Sequence, residues 1–306
     1  MSRYVLFRLG EALISVWGLL TIIFVAARLT GDPALLMLPI GSTEAQLAEF
    51  RHQMGFDRPL WEQYVTFLIN AVQGDFGESL LHQRPAMEVV LERFPATLQL
   101  ALTALVMGAV IGLVTGFVAA LKRGTILELL AMTLALLGQA TPIFWLGVVL
   151  ILVFAVQLGW LPAGGYGTLA HLVLPAITLA LFISASIARL LRSSMIEILK
   201  ENYIRTAFAK GLIIRRIHMH HTARNALIPV VTMLGILAGE LLSGAVVAET
   251  IYSWPGVGSL IILAVQSKDF PVVQAGVAII SLNFILINLL VDLTYGLLDP
   301  RIRIER

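Results

Sequence analysis

The chain has 306 residues, 58% of them hydrophobic and 13% charged, with a mean hydropathy of +0.89. A soluble domain carries about 25% charged residues, so a water-soluble globule is excluded as the main architecture. The lack of cysteine excludes disulfides, thiolate catalysis and Cys-ligated zinc. The net charge of +2 matters less than where the charges lie.

A hydrocarbon slab about 30 Å thick needs about 20 apolar residues in a helix. Six runs meet that need in chain order: Leu9–Leu29, Leu98–Leu121, Leu129–Leu158, Leu169–Ala188, Ala226–Ala248 and Phe270–Val291. Each must be helical, because lipid cannot satisfy stray backbone groups and no alternating barrel pattern is present. The first run follows Arg3 and Arg8, is too long for a signal-peptide core and precedes no Ala-x-Ala site, so it reads as an uncleaved anchor. Pro142 interrupts the third run, which is still expected to be one span.

Between the first two spans, Gly31–Pro95 carries nine acids and four bases, net −5. Within it, Asp57-Arg-Pro-Leu60 is turn chemistry. Trp61, Tyr64, Val65, Leu68, Ala71 and Val72 then follow helical spacing. This predicts an amphipathic helix at the lipid interface, or one docked on the bundle. Trp160-Leu-Pro-Ala-Gly-Gly-Tyr166 and Tyr252-Ser-Trp-Pro-Gly-Val-Gly258 pair aromatics with Pro and Gly, and are expected as turns at the outer membrane surface.

The basic residues orient the bundle. Arg3 and Arg8, Lys122 and Arg123, the segment Arg189–Asn225, and Arg301, Arg303 and Arg306 all fall on one side if there are six spans. That side is then cytoplasmic and holds both termini. Arg189–Asn225 has eight bases and two acids, net +6. Its centre, Tyr203, Ile204, Arg205, Thr206, Ala207, Phe208, Ala209, Lys210 and Gly211, reads as a short helix ended by a left-handed glycine. A second helical stretch, Ile213–Thr222, precedes a span capped by Asn225 with Pro229 in its first turn. A short helix between two turns suits a groove on a cytoplasmic partner, and a basic helix lying on anionic lipid is the alternative.

Polar groups within the spans are costly and are functional candidates by default. Glu240 lies mid-span, and Gln139, Thr141, Ser243 and Asn283 could join it along an aqueous pathway. Asp292 is expected to pair with an inner-face arginine such as Arg189. His218-Met-His-His221 has metal-ligand residues but reads as a polar cytoplasmic surface, and no metal site is expected. No catalytic constellation and no Gly-x-x-x-x-Gly-Lys-Ser/Thr phosphate cradle occurs, so no enzymatic activity, ATP site or other bound cofactor is expected in this chain.

Tyr203-Ile-Arg-Thr-Ala-Phe-Ala-Lys-Gly211 followed by Arg224-Asn-Ala-Leu-Ile-Pro229 resembles the cytoplasmic loop of ABC-importer permeases, more narrowly the dipeptide/oligopeptide/nickel group. Thr30-Gly-Asp-Pro-Ala34, Gly55-Phe-Asp-Arg-Pro-Leu60, Gly74-Asp-Phe-Gly77, Arg93-Phe-Pro-Ala-Thr97, Trp254-Pro-Gly-Val-Gly258, Asp269-Phe-Pro-Val272, Asn288-Leu-Leu-Val-Asp292 and Leu298-Asp-Pro-Arg301 extend the likeness over nearly the whole chain. The wider importer family carries Glu-Ala-Ala and then Gly in this loop. Here Arg205-Thr206-Ala207 and Gly211 stand at those positions, so any role of the acid does not apply.

The resemblance implies an all-α integral membrane protein with the type I ABC importer permease fold, six transmembrane helices and both termini cytoplasmic. A tail and first helix over 1–30, a periplasmic segment over 31–95 and a five-helix core over 96–306 would make it up. Residues 203–211 would form a coupling helix within a cytoplasmic loop at 189–225. The implied partners are a homologous second permease, two ABC ATPase subunits holding ATP and Mg, and an external substrate-binding protein, with no nucleic acid. The implied location is a bacterial inner membrane. Di- or oligopeptides are the first substrate expectation, with nickel or a nickel chelate, an opine or a glycoside behind them. A self-sufficient secondary transporter is the alternative class, disfavoured by the lack of internal repeats and by a single mid-span acid.

Overall fold

The computed structural model describes residues 2–29 and 42–298, with backbone alone for residues 2–5, 54, 242–244 and 292–298. Among the described residues every regular element is a helix, with one isolated bridge, Glu78 to Pro85, and no strand. The helices are α1 (Ser2–Leu29), α2 (Glu44–Met54), α3 (Leu60–Val72), α4 (Ala86–Leu121), α5 (Ile126–Ala140), α6 (Ile143–Leu150), α7 (Leu169–Ile198), α8 (Asn202–Ala209), α9 (Ile214–Arg216), α10 (Arg224–Ile251), α11 (Val257–Gln266) and α12 (Phe270–Leu298). Two compact units are present: Met1–Thr97 with Pro255–Arg306, and Leu98–Trp254. Residues 30–34 and most of the motif at 298–301 lie outside the described residues.

In the first unit, α1 packs along α12 and against α3. The amphipathic helix predicted after Pro59 is α3, with Pro59 at its N-terminus. Tyr64 Oη lies 2.6 Å from Thr21 Oγ1, and Phe24 contacts Tyr64 and Phe67 at 5.3 and 5.6 Å between ring centroids. The apolar face is not buried as one stripe. Tyr64 and Phe67 turn to α1, while Trp61, Val65, Ile69 and Val72 stay exposed.

Helix α2 was not anticipated. Thr43 and Gln46 form a reciprocal capping box at its start, and Gly55 ends it at φ 68°. Beyond it, His52 Nδ1 lies 2.8 Å from Asp57 Oδ2. This hydrogen bond raises the His52 pKa above its ordinary value and lowers that of Asp57. A raised histidine pKa contributes stability below the unfolded value, near 6.5, which is lost as pH rises through the folded one. Asp57→Asn is therefore expected to move the His52 titration to lower pH, read by the ring resonances of the histidine. An unmoved titration would refute the pairing.

The first turns of α4 close this unit's core. Ala86, Val89 and Val90 pack with Val257, Leu260 and Ala264 of α11 and with Val272 and Ala275 of α12. Thr97 Oγ1 accepts from the Val257 amide at 2.8 Å. Buried Asp269 accepts from Ser79 Oγ (2.5 Å) and the Leu81 amide (3.2 Å), tying the loop before α4 to the α11–α12 turn.

In the second unit, α4 lies against α7 through small residues spaced four apart. Gly108 abuts Ala180 and Ile183, Gly112 abuts Ser184 and Ile187, and Gly116 abuts Ala188. Glycines at this spacing let two backbones approach closely in lipid. The order of contacts also shows that α4 and α7 run in the same direction.

The predicted third span is instead two half-helices, α5 and α6, bent by 107° at Thr141-Pro142. Thr141 is extended (φ −77°, ψ 129°), as a residue before proline prefers, and Pro142 (φ −57°) starts α6 without an amide hydrogen to donate. The α6 turn then widens to π-helix over Ile151–Gln157. Among the described residues, five helices are long and apolar enough to cross a membrane, six if the bent pair is one span. Side-by-side packing decides for one broken span. Two parallel spans need a crossing between them, and only α5–α6 connects α4 to α7. Local contacts agree. Arg192 Nε donates to Glu128 Oε1 at 2.6 Å, which places the start of α5 beside the last turns of α7. At the other end, Tyr252 Oη meets Thr178 Oγ1 (2.8 Å) and the Gly147 carbonyl (3.2 Å).

The two aromatic loops are not simple surface turns. Tyr252 and Trp254 are among the largest fully buried side chains, and Trp254 stacks edge-on against Tyr166 at 4.8 Å. The Gly165 amide donates to the Tyr252 carbonyl at 2.8 Å, and Gly164 lies against the same carbonyl, where a side chain would collide. Tyr252 can be buried because its hydroxyl is matched. Trp160 and Tyr166 follow the expectation, at 69% and 53% exposed.

Candidate coupling site

Helix α7 runs past the predicted end of its apolar run to Ile198, and a turn at Leu199–Glu201 delivers α8. Helix α8 covers Asn202–Ala209, and Gly211 follows at φ 73°, the left-handed position read from the sequence. One face of α8 is fixed to its own chain. Ile204 and Ala207 are buried with Ile217, flanked by Ile198, Leu199 and Leu212. Tyr203 Oη accepts from Asn225 Nδ2 at 2.9 Å. The other face is open, with Tyr203 and Phe208 43% and 47% exposed beside Arg205, Thr206, Ala209 and Lys210. Arg215, Arg216 and Arg224 add exposed positive charge nearby.

One sequence expectation changes here. The chain does not break before the fifth span. The short α9 widens to π-helix over Ile217–Ala223 and continues directly into α10, so Asn225 caps nothing and is free to bond Tyr203. Ala207 is turned inward onto Ile217. Mechanically, α8 is keyed to the base of α7 and to the π-helical foot of α10. A push on its open face therefore reaches both spans.

His218, His220 and His221 lie on that foot, with His220 and His221 edge to face at 5.3 Å. Among the described residues, no group of three His, Asp or Glu side chains could hold a metal ion.

A stub helix clamped between two spans and presenting a basic outer face is the site on which comparison with known proteins bears. The model of the binding-protein-dependent transport system inner membrane component matches residues 112–304, and the N-terminal model of the same components matches residues 1–101. The chain belongs to this family. The permease is 40% identical to the di/tripeptide transport system permease protein DppB of Pseudomonas aeruginosa, with all of both chains covered. It is 41% identical to the glutathione transport system permease protein GsiC of Escherichia coli K12, with 99% of each covered. It is thus a multi-pass, all-helical protein of the bacterial inner membrane and a permease subunit of an ABC importer of type I, a family of non-catalytic subunits.

Two of the polar residues singled out in the permease's spans serve as local braces. Gln139 donates to Ser186 Oγ at 3.0 Å and accepts from Arg189 Nη2 at 2.7 Å, so it braces α5 against α7. That bond also engages Arg189, the partner expected for Asp292, whose side chain lies outside the described residues. Thr141 donates to the Leu137 carbonyl at 2.6 Å and caps α5 at the bend. Asn283 donates to the Ile279 carbonyl of its own helix, in the other unit. The Ser243 side chain lies outside the described residues. Glu240 is exposed on α10. The glycine seam of α4 went unread, although Gly108, Gly112 and Gly116 at intervals of four in a charge-free run were a legible signal.

Proposed function

We propose that the permease is one half of a peptide translocation pathway and that α8 couples it to an ATPase. Both termini and α8 then face the cytoplasm. The parallel packing of α4 and α7 supports this orientation, because six crossings put every basic loop on one side. Two ATPase subunits hold ATP and Mg and engage α8 and its counterpart on a second, homologous permease. ATP-driven closure of the ATPases moves α8, and α7 and α10 move with it. An external binding protein delivers solute to the opposite, acidic side. Peptides are the substrate class because the relatives are named for di/tripeptides and for glutathione, itself a peptide. Exposed Glu240 fits the same scheme. Charged side chains within spans face the bundle interior or a water-filled path, so this face of α10 is assigned to the second permease and the pathway.

The observation that carries the reading is α8 itself: one face locked to α7 and α10, the other apolar, basic and uncovered. Reconstitution into liposomes tests it. With its second permease, ATPases and loaded binding protein, the permease should take up a labelled dipeptide only when ATP is supplied on the α8 side. Uptake by this chain alone under an ion gradient would overturn the proposal.

A further inference from the structure

A cavity of about 1090 Å³ lies in the first unit and plays no part in coupling. Its walls come from residues between Phe24 and Met87, closed by Phe270, Pro271 and Gln274. By chain order it lies at the membrane face opposite α8, since it is built from the segment joining the first two spans.

The two ends of the cavity differ in charge. At one, the Arg28 guanidinium stacks 5.2 Å from the Phe24 ring and 4.9 Å from the Phe56 ring. Arg58 approaches the same end, its Nε within van der Waals reach of a methyl group placed on Gly55. At the other end stand Asp75 and Glu78, on either side of Gly77, which packs on Pro271. Asp75 uses one oxygen to hold the Gly77 amide at 2.9 Å. Aromatic rings join the two ends: Phe24 to Phe67 at 5.6 Å, and Phe67 to Phe76 at 6.2 Å.

Paired guanidiniums at one end, paired carboxylates at the other and a ring-lined floor between them complement a zwitterion with apolar side groups. Guanidinium suits a terminal carboxylate, and carboxylates suit a terminal ammonium. An extended chain covers about 3.3–3.6 Å per residue, so three to five residues reach from the Arg28 end to Phe76. We infer that this cavity holds a short peptide with free termini, its carboxylate at Arg28 and Arg58 and its ammonium at Asp75 and Glu78. The site lies within a single permease subunit and would retain peptide released at the outer face before the pathway opens. The inference rests on the peptide-import reading above.

The test uses the assembled permeases and ATPases in nanodiscs without the binding protein. Equilibrium binding is measured for labelled trialanine, its N-acetyl form and its C-terminal amide. Blocking either terminus is expected to weaken binding about tenfold or more, the loss of one charge-assisted contact. Asp75→Asn with Glu78→Gln should abolish discrimination against the N-acetyl form and keep that against the amide. Arg58→Gln, at an exposed position that does not threaten folding, should weaken discrimination against the amide, with Arg28 still present, and keep that against the N-acetyl form. Absence of saturable binding, equal binding of free and blocked peptides, or discrimination undiminished by the substitutions would each overturn the site. ATP-driven dipeptide uptake by the unmodified assembly separates the two readings. Uptake without a binding signal removes the cavity site alone, and no uptake of any peptide removes the reading beneath it.

Discussion

Gly112→Val is expected to leave little folded permease, whereas Gly18→Ala should leave its level and thermal midpoint unchanged or slightly raised. The two glycines look alike in sequence, each in the middle of an apolar run. Their surroundings differ. Gly18 has nothing within 4 Å of where a methyl group would stand, so alanine there removes only a helix-weakening residue, worth up to about 1 kcal/mol. A methyl group on Gly112 would lie 2.6 Å from the Ser184 carbonyl oxygen and 2.7 Å from Ile187 Cβ. The first obstacle is backbone, so no rotamer change relieves it. Overpacking in a tight core costs about 1–3 kcal/mol per site, and valine adds two further carbons to the collision. Separating α4 from α7 by the width of a methyl would also disturb Gly108 and Gly116, which share the seam. Fluorescence-detected size exclusion of a tagged chain, followed by a thermal ramp in detergent, reads the outcome. A Gly112→Val protein that elutes and melts like the unmodified chain would dismantle the seam and the parallel order of helices inferred from it.

What could be read without coordinates divides along physical lines. Span positions were legible because hydrophobic thickness is a one-dimensional constraint, and the five long helices and the broken pair occupy the predicted runs. Pro142 was visible, but whether a proline kinks a helix mildly or turns it through 107° depends on what the two halves pack against, here α7 and α10. Tyr252 and Trp254 looked like interfacial anchors because aromatics beside Pro and Gly are at home there. Their burial depends on Thr178 and the Gly147 carbonyl for Tyr252 and on Tyr166 for Trp254, partners distant in sequence. The end of α8 was legible from Gly211, since a left-handed residue is a local demand. Its register was not. Both sides of so short a helix carry apolar residues, and only tertiary contact shows that Ile204 and Ala207 are the inward pair. The pathway residues were the least legible. A polar side chain in a span can brace a neighbour, as Gln139 does, cap a helix end, as Thr141 does, or face water. Composition does not distinguish these uses.

The register of α8 sets the second large effect. Phe208→Asp and Ile204→Asp are expected to abolish ATP-driven uptake for different reasons, and the difference is measurable. Phe208 is 47% exposed, so a carboxylate there costs the folded chain little. On an ATPase surface the same change removes an aromatic anchor and adds an unpaired charge, a loss of about 2 kcal/mol or more and roughly thirtyfold in affinity. The Phe208→Asp permease should therefore reach the membrane in normal amount, melt normally and fail to retain its ATPases on purification. Ile204 is fully buried against Ile217, where an unpaired carboxylate cannot stay. That variant should loosen the loop itself, with earlier protease cleavage between Lys200 and Leu212 even before any partner is added. Ala207→Arg belongs with Ile204→Asp on this account, because Ala207 faces the same inner cluster. Gly211→Ala is intermediate: at φ 73° a side chain is strained by about 1 kcal/mol, enough to weaken coupling and too little to unfold the loop. If Phe208→Asp keeps its ATPases and its uptake, α8 does not carry the ATPase contact on its open face. If Ile204→Asp leaves protease resistance intact, the rigid link from α8 to α7 and α10 is wrong, and with it the route by which the nucleotide cycle would move the spans.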